Sequence, residues 1–442
     1  MENKKKYPFG FYVCSFTFTL ERMAFYSSKW LIAIWIVAAT AKGGLGLEPA
    51  QGAMMSANFV AFTYITPMIG GYIADHWISP RICVTVGAIL MGAGYVCGYF
   101  ATGSAMVWMM IILVSIGTGL FKGNLSGVNG QQFHEKEILD SAFTIQYSFV
   151  NIGSLIGTTF VAFVARAVSY NFCFLVCGIL LFLDAAWFGI LGKKHLGECG
   201  KYPFKQGQVK ERTAAVSRTP LTHSQRDKVF AIVMVTIFSI VFWLVWYLTY
   251  MPVYYYWGPD SGCLNHANWM IGSFTVPSSW FDSVNGLACI LLGPVLAAFW
   301  SKKAQTPKGD LSMFKKTGLG MVFMGLAFMV MCFADIIRGE NQASLLWILA
   351  VGLLMSLGEM VFSPLGNSFI TKFAPKELLG LLLGFWAFAI FIPAKSYGYL
   401  FAILEKQNFV AGYGTVGLIV LACGVVLWFA DKKLNKLLTA ED

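Results

Sequence analysis

Twelve apolar runs, each about 20 residues or longer, follow one another along this sequence. They lie near 10–40, 53–76, 82–101, 105–130, 142–167, 170–192, 229–256, 279–300, 314–337, 344–372, 378–404 and 409–430. A soluble core cannot absorb them. The chain is 57% hydrophobic and 12% charged, whereas soluble domains carry about 25% charged residues. Helices that cross a membrane satisfy their own backbone groups and so accommodate such runs. A membrane β-barrel would need short alternating segments, which the sequence lacks. The expected class is all-α integral membrane.

A polar stretch, 193–228, separates the sixth and seventh runs and holds no segment able to cross. The chain therefore divides into an N-terminal six-helix bundle (1–192), a basic cytoplasmic linker (193–228) and a C-terminal six-helix bundle with a short tail (229–442). Two six-helix bundles around a central cavity are the plan of the major facilitator fold. With the N-terminus inside, 24 of the 32 Lys and Arg fall on the cytoplasmic side, including Lys4, Lys5, Lys6, Arg81 and nine in the linker. Only Lys42, Arg166, Arg338 and Lys406 fall outside. The positive-inside rule then puts both termini in the cytoplasm. Compact loops and the lack of a cleavable signal peptide point to a multi-pass plasma-membrane protein, of the bacterial inner membrane.

A net charge of +10 suits nucleic acid, but the bases cluster between apolar runs and argue against that partner. The bilayer is the partner expected. The ten cysteines lie mostly within spans, as small apolar residues do. No Cys-x-x-Cys pair or Cys/His cluster has metal-ligand spacing, so neither metal nor cofactor is expected. No histidine is mid-span, which argues against a histidine proton relay. An enzyme needs a nucleophile with a base, or a metal, and neither is found at membrane depth. A transporter is the class that remains.

Charges inside the spans are few and therefore informative, since each costs roughly 2.5–3.5 kcal/mol at the bilayer centre on insertion scales. The first run holds Glu21, Arg22 and Lys29. Glu21, Phe25 and Lys29 form one row at helical spacing, and Arg22 and Tyr26 form the next. This polar face is expected to line a solute path. Lys122, in the fourth run, lies at a depth matching Glu21. A Glu21–Lys122 pair either exchanges a proton as its partner moves or locks two helices. Glu359, mid-span between Gly358 and the Ser363-Pro364-Leu-Gly366 break, is a candidate to bind a substrate amine. Lys395 either snorkels outward or faces the cavity. Tyr26, Tyr64, Asn151, Asn285, Trp243 and Trp386 are further polar or amphipathic groups within spans. Gly94 and Gly98, with Gly87, mark a close-packing face on the third run.

Several stretches resemble the proton-coupled oligopeptide transporters, a branch of the major facilitator superfamily. That family's first-span pattern is Glu-x-x-Glu-Arg-Phe-x-Tyr-Tyr, and here it reads Phe18-Thr-Leu-Glu21-Arg22-Met23-Ala-Phe25-Tyr26. Gly70-Gly71-Tyr-Ile-Ala74-Asp75 is similar to its Gly-Gly-x-x-Ala-Asp, and Phe121-Lys122-Gly-Asn124 to its Phe-Lys-Pro-Asn. Trp280-Phe-Asp-Ser-Val-Asn285 resembles Trp-Phe-Gln-Ser-x-Asn, and Gly358-Glu359 through Gly366 resembles the span 10 signature.

The resemblance implies import of di- and tripeptides with protons by alternating access. It implies that Glu21, Arg22 and Lys122 couple protons, that Lys29 and Lys122 take the peptide carboxylate, and that Glu359 takes the amine. Tyr26, Tyr64, Asn151 and Asn285 would bind the peptide backbone, and Trp243 and Trp386 would shape side-chain pockets. The departures are Phe18 for the first glutamate, Met23 and Phe25 for aromatic positions, Lys29 for an arginine, and a seventh span lacking an acid after Trp243. They leave an alternative: a divergent member carrying another small zwitterion or peptide-like compound, with weakened or absent proton coupling.

Overall fold

The computed structural model describes residues 7–133, 136–205, 221–307, 309–362, 366–375 and 378–439. Lys4, Lys5, Lys6, His134, linker residues 206–220, Ser363, Pro364 and Lys376 lie outside the described residues.

Every expected run is helical. The helices are α1 (Phe9–Val37), α2 (Pro49–His76), α3 (Pro80–Tyr99), α4 (Ser104–Gly130), α5 (Lys136–Ala167), α6 (Tyr170–His195), α7 (His223–Pro252), α8 (Trp280–Ala304), α9 (Met313–Arg338), α10 (Leu345–Phe362), α11 (Gly366–Phe373), α12 (Leu379–Leu404) and α13 (Phe409–Thr439). Ten are long and apolar enough to cross a membrane by length and composition. α1 and α2, of 29 and 28 residues, are as long as the others but more polar. The described residues of the tenth run are helical as α10 and α11, and 363–365 between them lie outside the described residues. Helix also takes up both edges of the expected linker, because α6 continues to His195 and α7 begins at His223. α7 starts on a capping box in which Thr222 and Gln225 exchange side-chain and backbone hydrogen bonds. It continues beyond Pro252 as one wide turn, Val253–Trp257.

The strands are short. Ala267–Asn268 pairs in parallel with Ala343–Ser344, and Met270–Ile271 pairs antiparallel with Phe274–Thr275.

The chain forms two compact units. The first comprises residues 1–47 and 58–211, the second residues 48–57 and 212–442. In the first unit α3 packs on α4 and α6, while α1 packs on α5 and α6. The expected glycine face of α3 is where this happens. Gly87 lies against the Gly117 carbonyl, and a Cβ there would stand 2.6 Å from that oxygen. Gly94 meets Val114, and Gly98 meets Met110 and Phe174. In the second unit α9 plays the part of α3, packing on α10 and α13. The backbones touch at Gly320 and Gly358, where a Cβ on either would lie 2.8 Å from the other's carbonyl. Large apolar side chains, among them Ile190, Leu291, Leu346 and Phe429, point outward, as lipid-facing residues do.

Candidate functional site

In the first unit the polar residues gather on α1. This helix is buried along nearly its whole length, so its charges meet protein. Glu21 is 1% exposed and Arg22 6%. Arg22 grips its neighbour through two parallel bonds, Nε to Oε2 and a terminal nitrogen to Oε1, both 2.5 Å. The guanidinium also rests on the Phe25 ring, 4.5 Å from its centre, with Tyr26 at 5.9 Å.

The expected Glu21–Lys122 pair is therefore not formed. A guanidinium offers two donors in a rigid plane matched to a carboxylate, and an ammonium does not. Lys122, half-buried on α4, sits over the Tyr64 ring of α2 at 4.9 Å. It has no carboxylate partner among the described residues. Lys29 is buried two turns further along α1. Asn151 of α5 donates to the Tyr147 carbonyl of its own helix at 3.0 Å.

The motif departures have physical counterparts. Phe18 is buried edge-on to Phe121, with ring centres 6.1 Å apart. Phe25 stacks on Phe59 at 5.4 Å. Aromatic packing thus fills positions where the family pattern carries an acid and a tyrosine. Asn124, two residues beyond Lys122, donates to the Leu120 carbonyl at 2.8 Å and the Gly70 carbonyl at 3.2 Å. It ties α4 to the glycine pair of α2.

The second unit centres on Glu359 of α10. Its Oε2 accepts from Trp246 Nε1 of α7 and from Asn285 Nδ2 of α8, each at 3.0 Å. Asn285 also donates to Ser356 Oγ at 3.1 Å, and Ser356 donates to the Gly352 carbonyl at 2.7 Å. An aromatic wall frames the acid. Trp246 meets Trp243 at 5.4 Å and Tyr250 at 5.0 Å, and Tyr250 meets Phe281 at 5.4 Å. The Trp243 indole N–H is buried without a hydrogen-bond partner among the described residues. Trp386 of α12 is buried against Gly366, the first residue of α11. A carboxylate beside aromatic rings is the chemistry that receives an alkylammonium group.

Three residues escaped the sequence reading. Trp246 holds Glu359, and its signal was the one-turn spacing from Trp243. Asp282 of α8 accepts from Tyr254 and stands where the family pattern has a glutamine. Asp184 of α6 is fully buried, and neither of its oxygens has a hydrogen-bond partner among the described residues. Its signal was a lone acid inside an otherwise apolar run.

A POT family model matches residues 81–216 and 205–419, well over half of the chain. The chain belongs to the POT family. Its relatives in that family include a di-/tripeptide transporter of Lactococcus lactis subsp. cremoris, 24% identical over 95% of this chain and 94% of the relative. Dipeptide and tripeptide permease B of Yersinia enterocolitica is 24% identical over 98% and 96%. Among solved POT structures, a mutant peptide transporter in complex with alafosfalin superposes with a TM-score of 0.88 at 23% identity, over 98% of this chain and 96% of that one. A POT family transporter in complex with 5-aminolevulinic acid gives a TM-score of 0.87 at 20% identity, over 97% of each. The POT fold is thus shared along nearly the whole chain. The protein is a multi-pass membrane transporter and not an enzyme.

Proposed function

We propose that this protein imports di- and tripeptides with protons, by alternating access between its two units. Glu359 carries the reading. Its carboxylate accepts from Trp246 and Asn285 beside an aromatic wall, while the first unit carries the cations Lys29 and Lys122. A free peptide has an amine at one end and a carboxylate at the other. Glu359 takes the amine, and Lys29 and Lys122 take the carboxylate. Tyr26, Tyr64, Asn151 and Asn285 bind the peptide backbone, and Trp243 and Trp386 bound its side chains. Glu21, Arg22 and Lys122 couple the proton. A proton on Glu21 removes the charge that Arg22 grips, and the released guanidinium changes the field at Lys122. The names of the relatives support the substrate class.

The test is uptake of labelled dialanine into proteoliposomes, with and without an inward proton gradient. Accumulation above the outside concentration, only with the gradient, is the expected result. Equilibration without accumulation in both conditions refutes proton coupling.

A second reading has its own support. Phe18 removes one protonatable group from α1, and a solved relative is described with 5-aminolevulinic acid, a small zwitterion. Strong competition by 5-aminolevulinate with none by a dipeptide library would favour that cargo.

A further inference from the structure

α6 runs antiparallel to α1. Cys177 Sγ approaches the Ala24 carbonyl at 3.7 Å, and Trp187 Nε1 donates to the Val13 carbonyl at 3.5 Å. Between these two contacts, Asp184 comes level with Thr17, one turn from Glu21. The structure buries Asp184 completely and, among the described residues, leaves both its oxygens without a hydrogen-bond partner. Thr17 Oγ1, which faces the carboxyl, is buried and unpartnered too.

An ionised carboxylate in that position would lose its water and could gain at most the Thr17 hydroxyl in exchange. The charge that faces it is that of Glu21, which has the same sign, and Arg22 is bound to Glu21 by two bonds. The neutral acid is the form this interface tolerates. It can also turn its O–H towards Thr17, which the carboxylate cannot do.

Among the described side chains, the other helices against α6 bring no compensating charge. α3 passes this level at Ile89, between the Thr85–Gly189 and Gly92–Phe182 contacts. Its nearest titratable residues, Cys83 and Tyr95, lie well to either side. On α5, the titratable groups with described side chains are Tyr147 and Arg166, both exposed. On α6 itself, Cys177 faces Ala24 and Cys173 faces the Val161 carbonyl.

We propose that Asp184 is a proton-binding carboxyl of the first unit, a second acid behind the Glu21–Arg22 pair. It compensates for Phe18, which occupies the place of an acid in the α1 motif. Asp184 presents its carboxyl to α1 from the opposite helix, at the neighbouring residue Thr17. The proton leaves Asp184 for water when the α1–α6 interface opens to it. This role rests on the proton-coupled reading above.

The experiment compares wild type with Asp184→Asn, which keeps shape and neutrality but cannot release a proton. The infrared spectrum of the purified protein at neutral pH reads the carbonyl stretch of protonated carboxyls and needs no substrate. Proteoliposomes then read gradient-driven dialanine accumulation beside dialanine counterflow, which requires no net proton movement. The expected result is loss of one carboxyl's infrared intensity in the variant. Accumulation should fall at least about ten-fold while counterflow stays within about two-fold of wild type. An unchanged infrared band overturns the proposal, as does accumulation with an unchanged pH profile. Equal loss of counterflow makes Asp184 a structural acid and also overturns it. Wild type that accumulates no dialanine, with the band still lost in the variant, refutes the proton-coupled peptide reading and leaves the protonated Asp184 standing.

Discussion

Trp246 gives Glu359 a direction. Its indole N–H and the Asn285 amide meet on the same carboxylate oxygen, so losing either lets the acid turn. A hydrogen bond to a charged group contributes roughly 1.5–3 kcal/mol. Trp246→Phe keeps the ring wall and removes only that donor. The expected result is a dialanine half-saturation concentration raised about ten-fold, the equivalent of about 1.4 kcal/mol. Analogues with a blocked amine should lose little. Equal loss for blocked and free amines would mean that Trp246 acts on the whole pocket and not on the amine site. In the first unit, Lys122→Ala should abolish gradient-driven accumulation, and retained accumulation would remove Lys122 from the coupling group. Sequence spacing located Glu21, Arg22, Lys122 and Glu359, because a charge in an apolar run is conspicuous. It did not reveal which cation Glu21 would choose. Adjacent helical residues do not normally face each other, and the planar fork of Arg22 overrides that rule. Asp184 is as conspicuous in its run as those charges, but no residue near it in sequence suggests a role, and its significance lies in Thr17 and Glu21 of another helix.

At the scale of elements, the twelve apolar runs were legible because crossing a membrane demands length and apolarity together. The break expected from Pro364 and Gly366 falls at 363–365, outside the described residues. What one dimension hid was the contact partner of each glycine. Gly320 and Gly358 belong to different helices, and their backbones come close enough to exclude a methyl group. Gly358 also precedes Glu359, so this contact sets where the acid stands. Gly320→Ala is expected to destabilise the protein by about 1–3 kcal/mol, as overpacking does, with a lower melting temperature in detergent. It should also weaken dialanine binding, because α10 must shift. Gly380→Ala is the comparison: nothing lies within 4 Å of its added Cβ, and alanine is the better helix former. A Gly320→Ala protein as stable as Gly380→Ala would show that α9 and α10 have slack at this point.

At the scale of the whole molecule, each unit repeats one internal plan. Its third helix, α3 or α9, packs on glycine against the helix that follows it and against the last of its unit. That repetition follows from covering six apolar helices with one another, and it leaves open which way the molecule faces the membrane. The lysines and arginines supply the direction. On the twelve-span reading of the sequence, 24 of 32 bases fall on the side of the N-terminus, and inversion would carry that many charges across the bilayer or strand them in it. The positive-inside bias is counted over short loops near the helix ends, and Arg81, Lys302, Lys303, Lys315 and Lys316 all sit there. A fluorescent protein joined after Asp442 should therefore be bright in cells. Alkaline phosphatase, active only outside, should be silent at that position and active when joined after Gly46, between α1 and α2. The opposite pattern would invert the molecule and make the proposed importer face the wrong way. An unglowing C-terminus with an active phosphatase at both positions would imply an odd number of crossings, against the twelve helical spans.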